Sequence, residues 1–192
     1  MSETRGVFIL SDVIDQKLDD EWVSVEDVWL DPPFPGTGYF GGGTPFSIST
    51  MDKVTYASDT TAAVPGANLS AARYAPAATG NSTHGYFGGG WLPGVTSTTD
   101  KVTYASDTTA AVPGANLTVA RSGLAATGNS THGYFGGGNP TTSLMDKVTY
   151  ASDTTAAVPG ANLTVARQSL AASSSRANAL PTTSSSSTPV IV

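Results

Sequence analysis

The sequence contains no cysteine. Disulfide stapling, thiolate metal sites and cysteine nucleophiles are therefore excluded. Histidine occurs twice, and charged residues make up 12% of the chain, too little for a densely charged surface. No apolar run reaches the ~18 residues that a membrane-crossing helix needs, so no membrane insertion is expected. The opening "MSETRGVFIL" lacks a basic region followed by a long apolar core, so no secretory signal is expected. Without that signal, the Asn-Leu-Ser/Thr triplets at Asn68, Asn116 and Asn162 and the Asn-Ser-Thr triplets at Asn81 and Asn129 read as chance matches to glycosylation acceptors.

The few charges are unevenly placed. Residues 1–31 hold nine acids against Arg5 and Lys17, a balance of -7, while residues 32–192 hold six acids and seven bases, a balance of +1. The net charge of -6 thus belongs to the first segment, and the remainder is nearly neutral. A body without basic patches argues against nucleic-acid binding, which requires phosphate neutralisation.

What the chain does have is repetition. "DKVTYASDTTAAVPGANL" occurs three times without change, at 52–69, 100–117 and 146–163. "GYFGGG" begins at Gly38, Gly85 and Gly133, giving periods of 47 and 48. Self-similarity at such a period indicates a repeat architecture. The segments 44–51, 91–99 and 139–145 vary in length and composition between the fixed blocks, as loops do.

The blocks read as short strands. In "KVTYA" the residues alternate, with Val54 and Tyr56 on one face and Lys53 and Thr55 on the other. "SDTT" reads as a turn. "AAVPGANL" reads as a small-residue strand broken by Pro-Gly, suited to an edge or bulge. "THGYFGGG" reads as a strand that ends in tight bending. Each unit is then about four strands in roughly 47 residues, the size of a propeller blade.

The order of these blocks resembles the kelch repeat. The likeness lies in a Gly-Gly pair after an aromatic strand, a Val-x-Tyr strand after a variable loop, and a closing Leu-x-x-Ala-Arg. The tryptophan usual in the kelch fourth strand is missing. "GYFGGG", "SGLAATGN" and the first segment "TRGVFILSDVIDQKLDDEWVSVEDVWL" are similar to kelch-like repeat proteins of marine tailed phages, cyanophages among them. The resemblance covers residues 4–172 and implies a virion structural protein, located in the virion, with other virion proteins (capsid, neck or tail) as partners.

Four regions are expected: an arm over 1–31, a Pro-rich hinge over 32–37, three repeats over 38–173 and a Ser/Thr-rich tail over 174–192. In the arm, "GVFIL" reads as a strand and a helix is predicted from Ser11, with Ile14, Leu18, Trp22 and Val25 at helical spacing. The arm is either a cap on the first repeat or a docking arm that inserts Phe8, Ile14, Leu18, Trp22 and Trp29 into another protein. The resemblance favours docking.

The repeat array starts at a second strand and ends with a lone first one, "ARQSLAAS" at 166–173, so it carries three units' worth of strands cut out of phase. Propellers usually hold at least about four blades. Two chains sharing a six-bladed ring, three chains around an axis, and a β-prism closed within one chain all satisfy the count. The expected fold is all-β, with kelch-like propeller-type units completed by oligomerisation; the prism is the alternative.

Catalysis requires dissimilar groups converging on one point, and identical repeats spread identical groups apart. No catalytic, cofactor or metal site is expected, and the chain reads as a non-enzyme. His84 and His132, in equivalent places, read as polar strand-start residues that do not meet. The paired aspartates Asp52/Asp59, Asp100/Asp107 and Asp146/Asp153 read as turn and strand-edge acids. The candidate ligand surface is the variable loops, with Phe46, Trp91 and Asn139. Their aromatics either stack on a glycan at a host surface or pack against the next unit. A carbohydrate-binding, lectin-like module is the alternative to the virion reading.

Overall fold

The computed structural model describes residues 36–174, and a compact unit begins at Thr37. The arm, the tail beyond Ser174 and most of the hinge lie outside the described residues.

The unit is all-β: three antiparallel sheets of three or four strands, joined by turns of one-turn 3-10 helix. The first sheet contains β1 (Thr37–Gly41), β2 (Met51–Thr55) and β3 (Thr60–Ala63). The second adds a strand at its leading edge. It contains β4 (Ala77–Gly80), β5 (His84–Gly88), β8 (Thr99–Thr103) and β9 (Thr108–Ala111). Its variable loop carries a small hairpin, β6 (Trp91–Leu92) with β7 (Gly94–Val95). The third sheet contains β10 (Ala125–Gly128), β11 (His132–Gly136), β12 (Met145–Thr149) and β13 (Thr154–Ala157).

The registers repeat from sheet to sheet. Phe40 faces Asp52 across β1 and β2, Phe87 faces Asp100, and Phe135 faces Asp146. The alternation places Val102 and Val148 in the core, fully buried, as the period-two pattern of "KVTYA" predicts.

One local reading is corrected. "AAVPGANL" is not a single strand. The strand stops at Ala63, Ala111 or Ala157, and each Pro-Gly-Ala forms a 3-10 turn. Proline fits the first position of such a turn, where its missing N–H is not needed. The asparagine after the turn then reaches back. Asn68, Asn116 and Asn162 each accept, through Oδ1, a hydrogen bond of 2.9 Å from the backbone N–H of Met51, Thr99 and Met145.

The hydrophobic core sits between sheets rather than within one. Met51, Ala67, Leu69, Phe87 and Val102 form one cluster. Tyr86, Leu117, Leu124, Phe135, Val148 and Tyr150 anchor the other. Among the described residues, the first sheet lacks the cover that the later sheets receive. Phe40 is 65% exposed, whereas its equivalents Phe87 and Phe135 are 5% and 0% exposed. Residues 166–173, expected as a lone first strand, belong to no sheet and form one isolated bridge, Arg167 to Thr142, and the three sheets do not close on one another among the described residues.

Candidate functional site: the seams between units

Most of the charged residues that recur in every copy meet at the seams. Arg73 stands on the linker into the second sheet. Its backbone is held by the first unit: its N–H donates to Ile48 O at 3.0 Å and its carbonyl accepts from Gly43 N–H at 3.0 Å. Its side chain reaches forward to the Asp100 carboxylate at 3.0 Å and donates to Phe87 O at 3.0 Å. Arg121 does the same one unit later. Its N–H donates to Thr96 O at 3.1 Å, its carbonyl accepts from Gly90 N–H at 2.9 Å, and its guanidinium meets Asp146 at 2.6 Å. All four side chains are fully buried. An ion pair removed from water this completely must be matched on both sides, or the remaining charge is costly. Arg121 also donates to Gly137 O and Leu144 O.

The second element of the seam is a tyrosine and a lysine on one sheet and an aspartate on the next. Lys53 contacts Asp107 at 2.9 Å, and the Tyr39 hydroxyl donates to the same carboxylate. Lys101 and the Tyr86 hydroxyl bind Asp153 in the same way. Asp107 and Asp153 lie at φ of 50° and 51°, left-handed positions that Asp tolerates better than most residues. These aspartates therefore turn the chain, as the sequence indicates, and also clamp the preceding unit. The bonds from Tyr39 and Lys53 hold Asp107 below its ordinary pKa. Burial pushes Asp153 upward, but the bonds from Lys101 and Tyr86 outweigh it and leave that carboxyl low as well.

Packing completes the seam. Tyr39 stacks on Tyr104, and Tyr86 on Tyr150, each pair with centroids 4.9 Å apart. Burial raises Tyr104 to about 12. Thr109 and Thr155 donate across to Ala67 O and Ala115 O at 2.5 and 2.7 Å. The glycines of the 3-10 turns permit close approach. A Cβ on Gly66 would lie 2.8 Å from Asp107 O, and one on Gly114 would lie 2.7 Å from Asp153 O.

The two histidines were expected not to meet, and no hydrogen bond joins them among the described residues. His84 and His132 line one cleft of about 650 Å³, together with Lys101, Thr131, Tyr150 and Asp153. Burial and the nearby Lys101 cation lower the pKa of His84. Each ring Nδ1 lies 2.8 Å from the preceding threonine Oγ1, and Asn81 or Asn129 accepts the histidine backbone N–H at 2.9 Å. Asn81 and Asn129 thus cap the strand starts, while both rings line the cleft. Among the described residues no three His, Cys, Asp or Glu side chains group as a metal site.

The loop residues divide. Trp91 pairs its main chain with Tyr74 at 2.8 and 3.0 Å, and its ring lies 6.3 Å from the Tyr74 ring. Asn139 pairs with Ser122 in the equivalent place, at 2.7 and 3.1 Å. Both therefore tie loop to linker. Phe46 is 80% exposed, and the neighbouring Ser47 Oγ donates to Trp91 O at 3.4 Å. Phe8, Ile14, Leu18, Trp22 and Trp29 lie outside the described residues.

Sequence reasoning missed the Arg–Asp and Lys–Asp partners. The available signal was two charges of each sign at fixed repeat positions in an otherwise neutral body.

These features define an all-β array of like sheets joined by like seams. No family model and no curated protein matches the chain. Among solved structures it is similar to one titled "Structure of YjhT", with a TM-score of 0.53 at 10% identity. The match covers 64% of this chain and 47% of that one, so the chain spans less than half the length of YjhT. At this identity the likeness shows the fold alone.

Proposed function

We propose that the protein is a non-enzymatic structural component of a tailed-phage virion. The arm fastens it to other virion proteins, and the repeats form a rigid propeller-type display, as a tail fibre, neck or head appendage, or decoration. The observation that carries the structural reading is the use made of the recurring charged and aromatic residues. Arg73, Asp100, Lys53, Asp107 and Tyr39, with their equivalents in the next unit, are spent on joining units. The virion assignment rests on the resemblance of the repeats and the arm to phage proteins. Completion of the array by further copies is supported by the uncovered first sheet, where Phe40 and Tyr56 are 65% and 60% exposed, a large apolar exposure for an isolated unit.

Deletion of residues 1–31 tests the anchoring role. Purified particles are expected to lose the truncated protein while its repeats keep their β circular dichroism. Full incorporation of the truncated protein would refute the anchor.

A glycan-binding role is favoured by one observation, the exposure of Phe46 beside the Trp91 loop. An aromatic face of this kind suits the apolar face of a sugar ring. Retention of the chain on a glycan array, lost in Phe46→Ala, would support it.

A further inference from the structure

Each seam has an outgoing and an incoming half, and the chain carries one unused copy of each. The outgoing half belongs to the earlier unit: a tyrosine, a lysine, a 3-10 glycine and a linker arginine. The incoming half belongs to the later unit: an aspartate after the third strand of the blade, a second aspartate on that strand, a tyrosine and a phenylalanine.

On the third unit the outgoing half is intact. Arg167 is held as Arg73 and Arg121 are: its N–H donates to Thr142 O at 3.1 Å, and its carbonyl accepts from Gly138 N–H at 2.9 Å. Its side chain is exposed and has no ion pair among the described residues. Lys147 is likewise without an ion pair among them. A Cβ on Gly160 would meet nothing within 4 Å, where Gly66 and Gly114 each face a carbonyl of the next unit. Gly136 likewise has no neighbour from a further unit among the described residues. A Cβ on Gly41 or Gly88 would lie 3.4 or 2.9 Å from the Phe87 or Phe135 ring, whereas one on Gly136 meets only Met145 and Leu163 of its own unit.

On the first unit the incoming half is intact and bare. Asp52 and Asp59 are exposed, although Asp100 and Asp146, the equivalents of Asp52, are fully buried. Phe40 and Tyr56 are exposed as well.

We infer that the first sheet of a second copy docks on the third sheet of this chain, reproducing the internal seam between chains. Arg167 pairs with Asp52 of the neighbouring copy. Lys147 and Tyr134 clamp its Asp59, Tyr134 stacks on its Tyr56, and its Phe40 seats against Gly136. The warrant is continuity: the same residue types in the same places already make this seam twice within the chain. The inference rests on the proposed completion of the array by further copies, and it names the surface and its polarity. Each chain offers one end of each kind, so association is head to tail.

The test uses the full chain in analytical ultracentrifugation across a concentration series. Wild type is expected to self-associate. Arg167→Ala leaves a neighbour's Asp52 covered without its cation, and is expected to weaken association about 100-fold. Lys147→Asp and Asp59→Lys are each expected to weaken it about tenfold, and an equimolar mixture of the two to recover it, since opposite ends then match again. That recovery is something a general folding defect does not produce. Gly160→Ala, open in the isolated chain, is expected to weaken association while leaving the thermal melt of dilute protein unchanged. A wild-type chain that stays monomeric at tens of micromolar overturns both this surface and completion by copies. A wild-type oligomer unmoved by all four variants overturns the surface alone.

Discussion

Arg121 and Asp146 meet at 2.6 Å with neither side chain exposed. Arg121 enters from a linker fixed to the second unit, and Asp146 lies on the central strand β12 of the third. Replacing Arg121 with Ala leaves a buried carboxylate without its cation, and is expected to cost about 3–5 kcal/mol. Urea unfolding followed by circular dichroism at low protein concentration measures it. Arg167→Ala, at an exposed position, is expected to change the same value by less than about 0.5 kcal/mol. Equal losses for the two variants would show that the arginine acts within its own unit.

Glycine is required in the seam turn for space rather than for a left-handed backbone. Gly114→Ala places a methyl carbon 2.7 Å from Asp153 O, and is expected to destabilise by about 1–3 kcal/mol. Gly160→Ala is expected to leave dilute protein as stable as wild type. Thermal melts of the two variants side by side make the comparison.

Hydroxyl deletion separates filled from unfilled seams. Tyr86→Phe removes the bond to Asp153 and is expected to cost about 1 kcal/mol. Tyr134→Phe, which has no such partner among the described residues, is expected to be neutral in dilute protein. A double-mutant cycle of Tyr86→Phe with Lys101→Met reports whether the two donors act on Asp153 as one group.

Acid should loosen the seams in two stages. The His84 pKa lies below its ordinary 6.5, so the folded state prefers the neutral ring. That contribution is present above pH 6.5 and is lost as pH falls from 6.5 through the lowered value. Asp107 and Asp153 lie below the ordinary 3.8, so their contribution is present above 3.8 and is lost as pH falls through their lowered values. Lys53 lies above 10.5, through its bond to Asp107, so its share is kept below 10.5 and lost as pH rises through the raised value. Melting temperature against pH is expected to show these limits, and His84→Asn to remove the first acid stage only.

Much of this architecture is legible in the sequence because it is local. The period and the alternation in "KVTYA" follow from spacing alone. The Pro-Gly-Ala turn was misread because a small-residue run suits a strand until Asn68 is seen reaching back to Met51 N–H. The seam partners were hidden for a different reason. Asp107 and Lys53 are 54 residues apart, and three identical copies offer every lysine three equivalent aspartates. Only the placement of one unit against the next selects among them. His84 and His132 occupy equivalent positions in neighbouring units, and both line one cleft.

Unit follows unit in this array with the same seam between them. A gene that gains or loses one whole period of 47 or 48 residues therefore still encodes a product with the same leading edge and the same trailing edge. Slippage or recombination between the identical stretches alters how long the protein is without altering what either terminus fits. Size becomes a quantity that heredity can adjust in whole steps, with no fresh matching of surfaces to be found at each one.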